Sequence, residues 1–128
     1  MSRTLLEKLG IKAGMNVRFI NEPKDYFQWL GEPLPENLAF QNEPLDFIHF
    51  FTNDIEDLES QLPQLQNSIV PNGMIWVSWY KKSAKLPSEL DEDIIRSTAL
   101  ALKLVDIKVC SVSPQWSALK LVIRRELR

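Results

Sequence analysis

The sequence is poor in the residues from which several common functional sites are built. Its 128 residues include four glycines, one cysteine and one histidine. With a single cysteine, Cys110, no disulfide can form within the chain, and such cysteine usage is typical of a reducing compartment. One cysteine and one histidine also cannot supply the usual ligands of a zinc ion. We therefore expect no metal site.

Long apolar runs are missing as well. No apolar stretch approaches the roughly 20 residues that span a bilayer. The N-terminal segment MSRTLLEKLGIKAG has neither a long apolar core nor a cleavage site of small residues. These absences predict a cytoplasmic protein without a membrane partner. The length predicts a single domain, residues 1–128.

Basic residues are absent from a long central stretch. Between Asp25 and Tyr80 there are nine acidic residues and no lysine or arginine, whereas the rest of the chain holds all 15 bases and eight acids. Because only part of the surface can then be basic, we expect no nucleic-acid partner. The split permits a homo-oligomer in which unlike faces meet, although pairing of opposite charges within one chain is the simpler interpretation.

Six segments have the composition of strands, and helical patterns separate most of them. The predicted strands are GMNVRFIN, NLAFQN, LDFIHFF, MIWVSW, VDIKVCSV and ALKLVIRRE. Strands that alternate with helices predict an open α/β fold with a mainly parallel sheet and helices on both faces. The turn SPQWS between the last two strands is too short for a parallel crossover, so these two should form an antiparallel hairpin.

The predicted helices carry recognisable start and stop signals. Gly10 follows the first helix at the usual place of a left-handed cap. Asn53 and Glu56 form a predicted capping pair at the start of a leucine-rich helix. Pro63 lies inside that helical pattern and predicts a kink or a restart there. Ser88 and Asp91 are expected to begin the next helix.

Two stretches resemble class I S-adenosylmethionine-dependent methyltransferases. LGIKAGMNVRFIN is similar to the opening of that fold. LDFIHFFTNDIEDLESQLPQLQNSIVPNGMIWVSW is similar to its second half, where a leucine-rich helix and a turn separate two apolar strands. More narrowly, GMIWVSWYKKS, LVDIKVCSV and WSALKLVIRRE resemble a small family of uncharacterised bacterial proteins with a truncated form of this fold. The resemblance covers nearly the whole chain and implies a Rossmann-like, methyltransferase-like sheet.

The loop that would hold the cofactor departs from the methyltransferase pattern. In that pattern the first strand ends in an acid, and a Gly-x-Gly-x-Gly turn follows. Here Phe19 takes the place of the acid, and Asn21, Pro23 and Asp25 take the places of the glycines. Glycine permits left-handed dihedrals and close approach of the backbone to the cofactor, and Pro23 also removes a donor. We therefore expect no cofactor and a protein that is not an enzyme.

The alternative is an S-adenosylmethionine-dependent methyltransferase with an atypical cofactor loop. In that case the resemblance places the cofactor against Asn21, Glu22 and Glu43. Glu43 would follow the second predicted strand and would take the position of the acid that binds the ribose hydroxyls.

In an open α/β sheet, ligands bind outside the carboxyl ends of the strands. The residues predicted to share this edge form a polar rim with aromatic members: Lys24, Thr52, Asn53, Trp79, Lys81, Lys82, Ser83 and Trp116. Such a rim suits an unknown protein partner or a small anionic ligand, and this binding role is the function we predict. The simpler alternative is that the lysines are solvated and that Trp116 packs under the hairpin.

Three further positions could carry chemistry. His49 lies within FIHFF, and a catalytic role would need a serine and an aspartate beside it, so we expect a core imidazole bonded to the backbone. Cys110 is expected to be a small buried residue rather than a nucleophile. Asp106 and Lys108 should face the same side of the sheet, where they would mark an edge strand or pair with Arg96 or with each other.

Overall fold

In the part of the chain that the structure describes, five strands and four helices make up the fold. The computed structural model describes residues 3–41 and 43–128. The strands are β1 (Val17–Ile20), β2 (Leu45–Phe51), β3 (Ile69–Tyr80), β4 (Leu104–Ser111) and β5 (Trp116–Ile123). The helices are α1 (Leu5–Leu9), α2 (Tyr26–Trp29), α3 (Ile55–Gln66) and α4 (Glu92–Leu100), with single 3-10 turns at Lys82–Ala84 and Arg125–Leu127.

The strands form one sheet in the order β1-β2-β3-β5-β4. β1, β2 and β3 are parallel, whereas β5 is antiparallel to both β3 and β4. The prediction of a mainly parallel α/β sheet with an antiparallel C-terminal hairpin is therefore confirmed. The physical reason is length: α3 provides a crossover between β2 and β3, but the link between β4 and β5 has no room for one.

Side chains that alternate along the strands build an apolar core on each face of the sheet. The core under α3 and α4 contains Ile48, Phe50, Leu58, Leu62, Ile75, Val77, Ile95 and Leu121. The core under α1 and α2 contains Leu9, Tyr26, Leu30, Phe47, Phe51 and Trp76. β2 contributes to both cores, so LDFIHFF is buried on both faces as predicted. Complete burial of one such side chain contributes about 1.5–3 kcal/mol.

The predicted second strand, NLAFQN, does not form. Among residues 37–41, which the structure describes, only Ala39 pairs with the sheet: its N–H donates to the carbonyl of Met15, and its carbonyl accepts from Val17, both at 2.9 Å. The chain then turns back toward β2, and the side chain of Asn16 bonds to the carbonyl of Pro44 and the N–H of Gln41. The segment is too short for a strand and a crossover. Its last predicted residue lies outside the described residues.

The first turn of α3 differs from the prediction. The capping residue is Asp54, whose carboxylate accepts a hydrogen bond of 2.9 Å from the N–H of Glu56. The side chain of Asn53 instead accepts a hydrogen bond of 2.8 Å from the N–H of Tyr80. Asn53 therefore ties the end of β2 to the end of β3 rather than capping the helix.

Pro63 does not restart α3, which is continuous across it. Proline lacks an N–H, so the carbonyl of Glu59 loses its partner one turn earlier. Glu59 is exposed, and water can satisfy that carbonyl. The apolar stripe of Leu58, Leu62 and Leu65 stays buried against the sheet, and this packing offsets the lost bond.

β4 contains a β-bulge that reverses part of the predicted facing. Asp106 pairs with Leu121, and Lys108 pairs with Lys120, with a register shift between them. The extra residue breaks the alternation, so Asp106 and Lys108 face opposite sides and the prediction of a shared face is wrong. The Nε of Arg96 lies 3.0 Å from Asp106, and β4 is an edge strand, as predicted.

The described residues contain neither a membrane-spanning helix nor a metal-binding cluster. No helix within residues 3–41 and 43–128 has the length and apolar character needed to cross a bilayer. In the same part of the chain, no group of three or more His, Cys, Asp or Glu side chains is arranged to hold a metal ion.

Candidate functional site

The carboxyl ends of β1, β2 and β3 meet at one edge of the sheet because these strands are parallel. β5 starts at the same edge, where Trp116 pairs with Tyr80. We call this edge the carboxyl rim. It brings together the residues that the sequence placed after the strands, namely Lys24, Thr52, Asn53, Trp79, Lys81, Lys82, Ser83 and Trp116.

Hydrogen bonds between neighbouring strand ends hold the carboxyl rim. The side-chain amide of Asn21 donates to the carbonyl of Phe51 at 3.3 Å. The N–H of Lys81 donates to the carbonyl of Gln115 at 2.8 Å. Together with the bond from Tyr80 to Asn53, these contacts connect β1, β2, β3 and the hairpin turn. The rim is therefore a fixed scaffold rather than a set of independent loops.

Several predicted rim residues are engaged in holding the fold. Thr52 is buried, and its hydroxyl accepts a hydrogen bond from the N–H of Asp54. The Nζ of Lys81 donates to the hydroxyl of Ser111 at 2.6 Å. The ring of Trp116 lies 4.4 Å from that of Tyr80 and 5.0 Å from that of Phe51. Lys24, Lys82 and Ser83 are exposed.

One cavity of about 370 Å³ opens at the rim beside β3. It is lined by Trp79, Lys81, Lys82, Ser117, Asp91, Glu92 and Asp93. The first three were predicted to lie here, but the acids at the start of α4 were not, since nothing in the sequence places that helix end against β3. Because three carboxylates share the cavity with two lysines, it is not a purely cationic site for an anion.

A second cavity, of about 390 Å³, lies on the outer side of β1, and we call it the β1 cleft. It is lined by Val17, Arg18, Phe19, Glu22, Phe27, Phe40 and Gln41. The cleft exists because Ala39 makes only one bridge to the sheet and leaves the rest of this edge of β1 uncovered by the described residues. Of its residues, the sequence singled out only Glu22 as a ligand contact.

Three phenylalanine rings form the walls of the β1 cleft. The ring of Phe19 lies 5.4 Å from that of Phe27, edge to face, and 6.3 Å from that of Phe40. Phe27 is 45% exposed and Phe40 is 63% exposed. Large rings that remain this accessible around a cavity are typical of ligand-binding surfaces. The sequence signal was weak, because the three rings lie in three separate segments of the chain.

The turn after β1 has the backbone conformation that glycine usually supplies. Asn21 adopts a left-handed conformation with φ 58°. Asparagine is one of the few residues that tolerate this region, because its short side chain can hydrogen-bond locally. The absence of glycine at Asn21 therefore does not prevent the chain from turning as a cofactor loop does.

Glu43 lies at the wrong edge of the sheet for the role that the resemblance gave it. It precedes β2, is exposed, and accepts a hydrogen bond of 2.7 Å from the hydroxyl of Ser68. Ser68 directly precedes β3, so this pair lies at the amino edge, opposite the carboxyl rim. The predicted position of Glu43 is wrong because the strand expected before it does not form. Phe40 and Gln41 follow the bridge instead and line the β1 cleft.

His49 is completely buried between two hydroxyl groups. Its Nδ1 lies 2.8 Å from the hydroxyl of Tyr26, and its Nε2 lies 2.7 Å from that of Ser78. The imidazole stacks on Phe51 with ring centroids 4.2 Å apart. The predicted core histidine is confirmed, but its partners are side chains rather than backbone. No carboxylate among the described residues bonds to it, so this is not a Ser-His-Asp arrangement.

Burial has the largest effect on the pKa values of His49 and Tyr26. Desolvation lowers the pKa of His49 from its ordinary value of 6.5 to about 3, because the charged imidazolium would lose its hydration. Burial also raises the pKa of the Tyr26 hydroxyl, with a smaller contribution from the nearby charge of Glu22. Both groups are therefore neutral near pH 7. They anchor the start of α2 beneath the turn that carries Glu22.

Cys110 is half-buried near the end of β4. Burial raises the pKa of its thiol, and this effect outweighs the opposing charges of Lys8, Lys108, Arg3 and Lys81. A thiol that stays protonated is a poor nucleophile. Cys110 is less buried than predicted.

Comparison with models of known protein families gives no match for this chain. Comparison with curated protein sequences gives none either.

Solved structures share the fold at low sequence identity. Magnesium protoporphyrin IX methyltransferase from Synechocystis PCC 6803 with bound S-adenosylhomocysteine has a TM-score of 0.61 and 10% identity, over 94% of this chain and 78% of that chain. The same enzyme with bound S-adenosylmethionine gives 0.58 and 8%, over 94% and 74%. An S-adenosylmethionine-dependent methyltransferase from Aquifex aeolicus gives 0.60 and 15%, over 94% and 88%.

These similarities correct the expectation that the chain takes no cofactor. That expectation rested on the missing glycines, but the fold is shared with a methyltransferase that holds S-adenosylmethionine, and Asn21 takes the left-handed conformation without glycine. The β1 cleft also remains open beside Glu22, although Tyr26 fills the space beneath it. Across 94% of its length, this chain has the fold of the class I S-adenosylmethionine-dependent methyltransferases.

Proposed function

We propose that this protein binds S-adenosylmethionine in the β1 cleft and is an S-adenosylmethionine-dependent methyltransferase. The observation that carries the proposal is the cleft itself. A carboxylate and three phenylalanine rings surround a cavity along the outer side of β1, next to the left-handed turn at Asn21. The bound cofactor supplies an electrophilic methyl group to an acceptor.

The residues of the β1 cleft suit the parts of this cofactor. A cavity of about 390 Å³ lies within the usual size range of small-molecule sites. The accessible rings of Phe27 and Phe40 can stack on the adenine, and such stacking is worth about 1–3 kcal/mol. The carboxylate of Glu22 can accept charge-assisted hydrogen bonds from ribose hydroxyls or from the amino group of the methionine part.

The buried cluster beneath the cleft supports it. Tyr26 is the first residue of α2, and its bond to His49 fixes that helix against β2. Glu22 and Phe27 lie on either side of Tyr26 in sequence and both line the cleft. A fixed α2 therefore holds one carboxylate and one ring in place before a ligand arrives, which lowers the entropic cost of binding.

The binding role first predicted for the carboxyl rim has weaker support. The solved structures that share the fold favour a methyltransferase over a non-catalytic binding protein. The rim cavity holds carboxylates as well as Lys81 and Lys82, and this mixture disfavours a simple anion.

Isothermal titration with S-adenosylmethionine tests the proposal. We expect micromolar binding by the natural chain. Glu22→Gln removes a charge-assisted bond, and Phe40→Ala removes a stacking surface, so each should weaken binding roughly tenfold or more. Glu36→Gln, an exposed acid outside the cleft, is the matched control and should bind like the natural chain.

Two results would overturn the proposal. One is the absence of binding at millimolar S-adenosylmethionine. The other is binding that Glu22→Gln and Phe40→Ala leave unchanged, since the cofactor would then lie elsewhere.

A further inference from the structure

Opposite charges do not pair within the chain in the way the sequence predicted. The described residues include every acidic and basic side chain, and their three ion pairs all involve Arg96, with Glu92, Asp93 and Asp106. None of the nine acids between Asp25 and Tyr80 lies in an ion pair in this part of the structure. The prediction of internal compensation is therefore wrong, and the charge split of the sequence remains on the surface.

Four lysines gather on the face of the sheet that packs against α1. Lys108 and Lys120 are direct neighbours across β4 and β5, and Lys120 is also the neighbour of Trp76 on β3. The Nζ of Lys108 lies 5.9 Å from the ring centroid of Trp76. The indole of Trp76 donates to the carbonyl of Leu9, which brings the end of α1 to the same place. We call Lys8, Lys12, Lys108 and Lys120 the lysine face.

The lysines of this face lie close enough to disturb one another. Burial lowers the pKa of Lys120, and the charges of Lys108 and Lys12 lower it further. None of the four has a carboxylate partner among the described residues. A negatively charged surface placed over them would relieve this repulsion.

An acidic surface lies on the opposite side of the sheet. α3 carries Glu56, Asp57 and Glu59 and no basic residue. Glu56 and Glu59 are exposed, and their side chains make no ion pair within residues 3–41 and 43–128. We call Glu56, Asp57 and Glu59 the acidic helix face. The neighbouring helix α4 cannot neutralise it, because its one base, Arg96, is occupied by three other carboxylates.

We propose that the lysine face of one chain docks on the acidic helix face of a second copy. The two surfaces have opposite charge and neither is compensated internally. A net charge of only −2 means that two copies repel each other weakly, and the acidic helix face of the second copy supplies a negative surface for the lysine face. A second copy is therefore the partner that the charges favour over nucleic acid.

The placement of the two faces determines the kind of assembly. The two faces lie on opposite sides of the sheet. When two chains dock, one chain therefore keeps a free acidic helix face and the other keeps a free lysine face. Such head-to-tail contacts build rings or open chains rather than a closed dimer. The attraction should be strong at low salt, where the Debye length is about 30 Å at 0.01 M, and weak at 1 M, where it is about 3 Å.

Sedimentation velocity with charge-reversed variants tests the proposal. The natural chain should exceed twice its 14.8 kDa at low salt and sediment as a monomer at high salt. Lys8→Glu with Lys12→Glu removes the net positive charge of the lysine face, because Lys108 and Lys120 then balance the two new carboxylates, and Glu56→Lys with Glu59→Lys makes the acidic helix face net basic. Each double variant alone should be monomeric at low salt. An equimolar mixture of the two should associate again, because their faces are complementary.

A matched control separates the effect of the face from that of net charge. Lys82→Glu with Lys85→Glu changes two exposed lysines away from both faces, makes the same change in net charge as Lys8→Glu with Lys12→Glu, and should associate like the natural chain. Circular dichroism checks that every variant is folded, and Lys8→Gln with Lys12→Gln gives a milder version should a reversal unfold the chain.

Three outcomes would overturn the proposal. The first is a monomeric natural chain at low salt, including the case in which that monomer binds single-stranded polyuridylate through Lys8 and Lys12. The second is association that survives both reversals. The third is a mixture of the two reversed variants that stays monomeric.

Discussion

Protonation of His49 should destabilise the fold at mildly acidic pH. The imidazole is fully buried, and its two nitrogens are committed to the hydroxyls of Tyr26 and Ser78. A second proton would place a positive charge in a buried site where His49 bonds to no carboxylate among the described residues. Because a buried, unpaired charge is costly, the pKa of the imidazole is lowered. Near pH 7 the histidine is neutral in both the folded and the unfolded chain.

The magnitude follows from the difference between the folded and unfolded pKa values. The pKa of His49 falls from 6.5 in the unfolded chain to about 3 in the folded one. The unfolded chain therefore binds the extra proton first, and the folded state loses stability as the pH falls from 6.5 toward 3. Each pH unit between 6.5 and 3 changes the free energy of unfolding by about 1.36 kcal/mol. At pH 5 the protein is therefore about 2 kcal/mol less stable than at pH 8.

Urea unfolding at pH 8 and pH 5, at constant ionic strength, measures this loss. His49→Gln is the control, because it lacks the titrating group while every other ionisable side chain remains. The natural chain should lose about 2 kcal/mol more than His49→Gln between the two pH values. Since His49 is the only histidine, its ring proton resonances also report its charge directly.

Equal pH dependence in the natural chain and in His49→Gln would refute this reasoning. So would ring resonances of the folded protein that titrate near pH 6.5. Either result would mean that the imidazole is hydrated and not enclosed by Tyr26 and Ser78.

Two further substitutions test the backbone around the site. Asn21→Gly should change the free energy of unfolding by only a few tenths of a kcal/mol. Asn21→Val should lower it by about 1–2 kcal/mol, because a β-branched residue resists the left-handed region. Urea unfolding of both variants measures the two changes. Gly73→Ala should cost about 1–3 kcal/mol, because a Cβ there would lie 2.9 Å from the Cβ of Ile69 and 3.1 Å from the carbonyl of Leu45. Thermal unfolding beside the exposed control Asn72→Ala checks this, and equal stability of the two variants would show that β3 can shift to admit the methyl group.

Much of the fold could be predicted because the signals are local. The alternation of apolar strands with leucine-rich helices can be recognised from residues that are neighbours in sequence. The same is true of the short link that forces β4 and β5 to be antiparallel. Gly10 ends α1 in the left-handed conformation, and Asp91 caps α4, as their residue types indicated. The predicted cap of α3 was wrong because of a contact with a distant residue. The side chain of Asn53 bonds to the N–H of Tyr80, and Asp54 caps the helix.

The candidate site depended on contacts that the sequence does not display. The glycine pattern was a negative signal, and it failed because Asn21 can adopt the conformation that glycine usually provides. Glu43 was assigned through a strand that the chain is too short to form, and its carboxylate lies at the amino edge beside Ser68. Phe27 and Phe40 come together around Phe19 only because the chain turns back after Ala39.

The sequence by itself determined the α/β class, the order of the main elements and the segregation of acidic from basic residues, because periodicity, chain length and composition are properties of the chain. The tertiary structure alone decided that the acids of α3 and the lysines of α1, β4 and β5 lie on opposite sides of one sheet, and that a cleft opens beside Glu22. Such features depend on which distant segments share an edge or a face. That is set by the packing of the whole chain, since burial of apolar surface gains free energy wherever along the sequence the contacting residues come from.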